Sequence, residues 1–177
     1  EYKRQVQAAL EKIEQLPDLE WHFIGPIQST KTKPIAAHLN WVHSVDRFKI
    51  AQRLNDQRPE GSEPLNILLE VNISAEASKA GFMSNDVEAA AVEISKLPNL
   101  KLRGLMAIPQ KADSFEAQRQ PFAAMKKLLN YLNRAHPDWH LDTLSMGMSA
   151  DLEAAIAEGA TIVRIGTDIF GARNYTS

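Results

Sequence analysis

Short apolar runs alternate along the chain with longer stretches whose apolar residues recur three and four positions apart. The runs predict strands at Trp21–Gly25, Trp41–Val45, Asn66–Ile73, Lys101–Ala107, Thr143–Met148 and Thr161–Gly166. Between them the helical spacing predicts helices over Phe48–Gln57, Asp86–Leu97, Phe115–Ala135 and Asp151–Ala157. A further helix is predicted before the first strand, over Glu1–Leu16, with Val6, Leu10 and Ile13 on one face and Pro17 beyond its end. Ile67-Leu68-Leu69-Glu70-Val71 is nearly all apolar, as expected of a parallel strand covered on both faces. Regular βα alternation implies a parallel sheet, either open and doubly wound or closed as a barrel. Eight-stranded barrels usually need about 250 residues and occasionally near 200. At 177 residues this chain accommodates about six of eight βα units, with the first two absent. No repeat or low-complexity linker divides it, and Gly61-Ser62-Glu63-Pro64 reads as a turn before a strand. Residues 1–177 are therefore expected to form one domain. Periodicity alone leaves the open sheet as an alternative.

Composition narrows the function classes. Hydrophobic residues make up 44% and charged residues 24%, the balance of a folded globular chain rather than a disordered one. A net charge of −2 without basic clusters gives no nucleic-acid footprint. No apolar run is long enough to cross a membrane and no cleavable signal is recognisable, so a cytoplasmic location is expected. The absence of cysteine removes disulfides, thiolate metal sites and cysteine nucleophiles together. The five histidines lack metal-ligand spacing, and Gly147-Met148-Ser149 is not a full nucleophile elbow. His22 and His43, alone on predicted strands, read as satisfied core groups rather than ligands.

The chemistry concentrates after the last two predicted strands. Leu144-Ser145-Met146-Gly147-Met148-Ser149 runs into the helix expected from Asp151, and Thr161-Ile-Val-Arg164-Ile-Gly166-Thr167 into a short segment. In barrels, the loops after the seventh and eighth strands commonly hold a phosphate. Ser149 offers a hydroxyl beside a helix N-terminus, where free N–H groups favour an anion, unless it is only an N-cap. Gly166 permits close approach of a ligand to the backbone, unless it is simply a turn residue, and Thr167 adds an N–H and a hydroxyl. Asp151 would oppose a phosphate unless it points away. Arg164, mid-strand, shares a face with Ile162 and Gly166, and its guanidinium requires an acceptor. That acceptor is either a glutamate such as Glu70 or a ligand.

Taken together, Trp21-His-Phe-Ile-Gly-Pro-Ile-Gln28, Asn72-Ile-Ser74 with Ser78-Lys-Ala-Gly81, Arg103-Gly-Leu-Met-Ala-Ile108, Leu144–Ser149, and Val163–Thr167 with Ile169–Arg173 closely resemble the pyridoxal phosphate homeostasis protein family. The match runs from about Leu19 to the C-terminus. The resemblance implies a (β/α)8 TIM-type barrel of the alanine racemase N-terminal type, with pyridoxal 5′-phosphate at the C-terminal mouth of the strands. It implies that Arg164 faces the pyridine nitrogen and that Ser149, Gly166 and Thr167 hold the phosphate, with Ser145, Met146 and Gly147 as weaker members. Arginine can donate a hydrogen bond to that nitrogen but not readily a proton, which weakens the cofactor as an electron sink. The expected role is accordingly non-enzymatic: buffering the cofactor and delivering it to enzymes that depend on it. An amino-acid racemase of the same fold is the enzymatic alternative, but it needs a second base, usually a tyrosine from another domain. Here only Tyr2, Tyr131 and Tyr175 exist. A phosphate-binding barrel enzyme unrelated to this cofactor is a third reading.

The resemblance also implies a Schiff-base lysine in an Ala-Val-Ser-Lys-Thr-Lys-Pro-like segment ending the first strand, ahead of where this chain begins. Ser29-Thr-Lys-Thr-Lys-Pro34 imitates that segment. It follows Phe23-Ile-Gly-Pro-Ile-Gln28, however, where the family has a Gln-Ser-Asn-Lys-like loop after the third strand. Lys31 and Lys33 are therefore expected to be loop lysines. The Gly-Glu-Asn-Tyr-like segment after the family's second strand is not recognisable, with Glu1-Tyr2 as its only candidate remnant.

Overall fold

Six parallel strands pair in the order in which they occur along the chain. In the computed structural model, which describes residues 2–171 and side chains from residue 6 onward, these are β1 (His22–Phe23), β2 (Trp41–Val45), β3 (Leu65–Glu70), β4 (Leu100–Met106), β5 (Thr143–Met148) and β6 (Ile162–Arg164). The helices are α1 (Tyr2–Gln15), α2 (Thr32–His38), α3 (Phe48–Asp56), α4 (Val87–Ile94), α5 (Phe115–Ala135), α6 (Leu152–Ala157) and α7 (Thr167–Phe170). A doubly wound sheet reverses its direction of growth at a switch point, so its strand order departs from the sequence. Here every crossover steps the same way, as in a barrel, which excludes the open doubly wound alternative.

The sheet is strongly curled. Across a flat sheet, β2 and β5 would lie roughly 14 Å apart, three steps of about 4.8 Å. Yet His43 Nδ1 on β2 sits 2.8 Å from Ser145 Oγ on β5. The outward side chains of the strands, among them Val42, Leu65, Ile67, Leu69, Leu105, Leu144 and Met146, form one core with helix residues such as Ile50, Leu54, Ile94, Phe122, Met125 and Leu132. The inner wall carries a separate small cluster of Trp41, Leu68 and Met106. Arg103 covers Trp41 from one end, its guanidinium carbon 4.7 Å from the ring centroid, and pairs with Asp142 at 2.6 Å. Gly104 lets β4 approach β5: its φ is +155°, and a Cβ there would lie 1.9 Å from the Thr143 carbonyl oxygen.

Several boundaries differ from expectation. β1 shrinks to two residues, and β3 ends at Glu70 before the predicted Ile73. The beyond-strand segment is instead turned by Asn72, whose amide donates to Glu76 O at 2.8 Å and whose oxygen accepts from Glu76 N at 3.0 Å. The Ser29–Pro34 segment is not an open loop. Ser29–Lys31 forms a 3-10 turn and Lys33 lies in the first turn of α2, where Pro34 costs no helical hydrogen bond. Burial of Ile35 and Ala36 stabilises α2, and Arg53 ties the turn to α3 by donating from Nε to Ser29 O at 2.7 Å. Both Phe115 and Ala135 bound α5 as predicted, with Ser114 Oγ accepting from Ala117 N at its start. No helix among the described residues is long and apolar enough to cross a membrane.

Candidate functional site

A parallel sheet places the loop after each strand on one rim, and the loops after β5 and β6 there enclose a cleft of about 750 Å³. It is lined by Lys111, Met148, Ser149, Ala150, Arg164 and Gly166, and by Thr167, Asp168, Phe170 and Gly171. Four of the predicted site residues, Ser149, Arg164, Gly166 and Thr167, thus meet in one place.

Their local roles differ from the sequence expectation in part. Ser149 is not the N-cap of α6; Asp151 occupies that position. Asp151 is turned to its own loop, its Oδ1 accepting from Met148 N at 2.7 Å, which answers the question of where its charge points. Ser149 Oγ is left buried without a hydrogen-bond partner. Gly166 precedes α7 with φ −113°, a value open to any residue, and a Cβ there would meet nothing within 4 Å. Space on the cleft side, rather than backbone strain, distinguishes this glycine.

Arg164 makes no ion pair with Glu70. Its Nη1 donates to Ser145 O at 3.2 Å and Oγ at 2.9 Å, and its Nη2 donates to Ala107 O at 3.0 Å. Nε is buried and unpartnered. Burial lowers the guanidinium pKa from its ordinary value, and the charges of Asp151 and then Glu70 oppose that shift. The terminal nitrogens are thus engaged by two backbone carbonyls and one hydroxyl, and Nε–H alone is left without an acceptor.

Ser145, Met146 and Gly147 do not line the cleft. Ser145 is fully buried on the inner wall beneath Arg164, and Met146 faces the helices in the outer core. Gly147 has φ +96°, and a Cβ there would stand 2.5 Å from Ala155 Cβ, so its glycine brings β5 against α6.

Lys111 escaped the sequence reading, and Glu70 entered it only as an ion-pair partner for Arg164. Lys111 reaches the cleft from the loop after β4. At the ends of β2 and β3, burial and the proximity of Asp46 push the Glu70 carboxyl up to about 7, with Arg164 opposing. Asp46 is itself raised by burial, against the pull of Arg47. A polar residue closing an otherwise apolar strand run is the signal that could have flagged Glu70 as a buried acid. Lys31 and Lys33 do not line the cleft, and neither do the described parts of the tyrosines. The side chain of Tyr2, and Arg173 and Tyr175, lie outside the described residues.

The chain matches the family described as alanine racemase, N-terminal domain, over residues 4–174. It is 60% identical over 172 residues to a curated protein of Pseudomonas aeruginosa named pyridoxal phosphate homeostasis protein, covering 96% of this chain and 73% of that relative. Among solved structures it is similar to PipY of Synechococcus elongatus without PLP, with TM-score 0.85 and 36% identity over 94% of this chain and 79% of that one. PipY with PLP bound gives TM-score 0.83 and 34% identity, covering 94% of this chain and 78% of that one. The sequential half-barrel, its rim cleft and these relatives agree: the chain belongs to the pyridoxal phosphate homeostasis protein family, built on the alanine racemase N-terminal fold.

Proposed function

We propose that this chain binds pyridoxal 5′-phosphate in the cleft beyond β5 and β6 and serves cofactor homeostasis as a carrier or buffer. Ser149 Oγ, Gly166 and the N–H and hydroxyl of Thr167 hold the phosphate in this reading, and Arg164 Nε–H donates to the ring nitrogen. The observation that carries it is the pair of buried, unpartnered groups on one cleft, Ser149 Oγ and Arg164 Nε. Buried polar groups are rarely left unpaired, so two of them on residues lining one cleft call for a ligand rich in acceptors. Ser145 supports Arg164 from below, and Met146 and Gly147 set the approach of β5 to α6.

When bound, pyridoxal phosphate supplies an electron sink that is strongest with its ring nitrogen protonated. Arg164 donates a hydrogen bond without releasing its proton, so the residues of this site favour holding the cofactor over turning substrates with it. Recipients are then enzymes that need the cofactor, in a cytoplasmic setting.

Titration of the absorbance of pyridoxal 5′-phosphate with the protein tests the reading. Arg164→Glu is expected to shift the bound spectrum and weaken binding, and Ser149→Ala to weaken binding without moving the spectrum. Unchanged affinity and spectrum in both variants would reject the site.

A further inference from the structure

A polar line crosses the inner wall of the sheet, where barrels of this kind ordinarily pack branched apolar side chains. His22 Nδ1 on β1 lies 2.8 Å from His43 Nε2 on β2. His43 Nδ1 lies 2.8 Å from Ser145 Oγ on β5, and Ser145 Oγ accepts from Arg164 Nη1 at 2.9 Å. At the other end, His22 Nε2 faces Glu20 Oε1 at 3.8 Å.

The two ends favour one direction of donation. Arg164 can only donate, so Ser145 Oγ accepts there and its hydroxyl proton is free for His43 Nδ1. The Glu20 carboxylate favours a proton on His22 Nε2, which leaves His22 Nδ1 to accept from His43 Nε2–H. The His22–His43 and His43–Ser145 hydrogen bonds are then both satisfied with both imidazoles neutral. Burial, reinforced by His22 and Arg164, holds His43 at about 3, and burial lowers His22 against the opposing pull of Glu20. His22 also stacks on Trp41, ring centroids 5.3 Å apart and 5° from parallel, which fixes the ring that begins the line.

We propose that His43, Ser145 and His22 are positioning residues for Arg164: a one-way hydrogen-bonded chain holds the guanidinium with both terminal nitrogens engaged and Nε–H left for a ring nitrogen in the cleft. The proposal rests on the reading of Arg164 given above. It assigns a purpose to the buried His43 and to the exposed His22, neither of which lines the cleft. Without Ser145 Oγ or its acceptor, the guanidinium can pivot about its remaining bonds to Ser145 O and Ala107 O.

Two measurements test it. Imidazole nitrogen NMR of the unsubstituted protein at pH 7 is expected to show His22 and His43 neutral and protonated on Nε2. A proton on His43 Nδ1 would overturn the direction and with it the proposal. Binding is then compared for pyridoxal 5′-phosphate and for benzyl phosphate, which keeps ring and phosphate but has no ring nitrogen. Ser145→Ala and His43→Leu are expected to weaken the first about three- to tenfold, the loss of one hydrogen bond, and to leave the second unchanged. His43→Asn, whose amide oxygen can stand where Nδ1 stood, is expected to restore binding. Equal losses for both probes would mean a purely structural role and refute the proposal. Arg164→Leu separates the two levels. If it fails to discriminate between the probes, the reading of Arg164 fails and the chain with it. If it discriminates while Ser145→Ala and His43→Leu do not, the chain alone is refuted.

Discussion

Glu70→Gln should stabilise this protein above neutral pH and leave it unchanged near pH 4. The Glu70 carboxyl is raised from 4.5 to about 7 by burial and by Asp46, less the attraction of Arg164. The unfolded chain therefore loses this proton near pH 4.5, while the folded protein keeps it until about pH 7. Across that window the folded state binds more protons, so stability is complete below the lower value and falls as pH rises through the upper one. At about 1.36 kcal/mol for each pH unit the full cost is roughly 3 kcal/mol. The side chain keeps some contact with water, and solvent screening reduces this to ~1–2 kcal/mol. Glutamine keeps the shape and removes the ionisation, and it also relieves Asp46. Urea unfolding at pH 4, 5, 6, 7 and 8 checks this. The two proteins should coincide at pH 4 and separate progressively, the variant being more stable by ~1–2 kcal/mol at pH 8. Parallel pH profiles, or a variant less stable at pH 8, would refute the assignment of a buried, proton-holding Glu70.

Gly147→Val should cost ~2–3 kcal/mol in urea unfolding, because φ is +96° and Ala155 Cβ already occupies the space at 2.5 Å; a loss under ~0.5 kcal/mol would contradict that packing. Gly166→Ala should leave stability unchanged, since its Cβ meets nothing within 4 Å, yet weaken pyridoxal 5′-phosphate binding; full affinity would remove Gly166 from the phosphate site. Borohydride reduction in the presence of pyridoxal 5′-phosphate, followed by peptide mass mapping, should give no stoichiometric label on Lys31 or Lys33, which do not line the cleft. Complete labelling of either would show that the Ser29–Pro34 segment reaches the cofactor after all.

What could be read from sequence followed the distance over which each feature is determined. β2, β5 and α5 have the predicted ends because local periodicity and flanking residues fix them. The grouping of Ser149, Arg164, Gly166 and Thr167 was equally legible, because consecutive parallel strands bring their following loops to the same rim. α2 was missed because its signal is diluted by Pro34, and its stability comes from burying Ile35 and Ala36 rather than from propensity. The choice between open and closed winding lay beyond periodicity and depended on the pairing order. The His22–His43–Ser145 line was hidden for a stronger reason. His43 and Ser145 are 102 residues apart and meet only because the sheet curls. Glu70 was weighed as an ion-pair partner for Arg164, but the guanidinium finds carbonyl acceptors nearer at hand.

The division between an outer aliphatic layer and an inner polar wall has a consequence for how such a chain can change over generations. Most of the buried aliphatic surface lies between strands and helices, whereas His22, His43, Ser145 and Arg164 lie on the other side of the same strands. Because side chains alternate along a strand, adjacent codons answer to different selective pressures, one to packing volume and the next to chemistry. Libraries randomised at the polar inner positions alone, with Trp41, Leu68 and Met106 kept, should therefore retain folded members at high frequency while exploring new ligands. The same effort spent on their immediate neighbours would mostly yield chains that fail to fold.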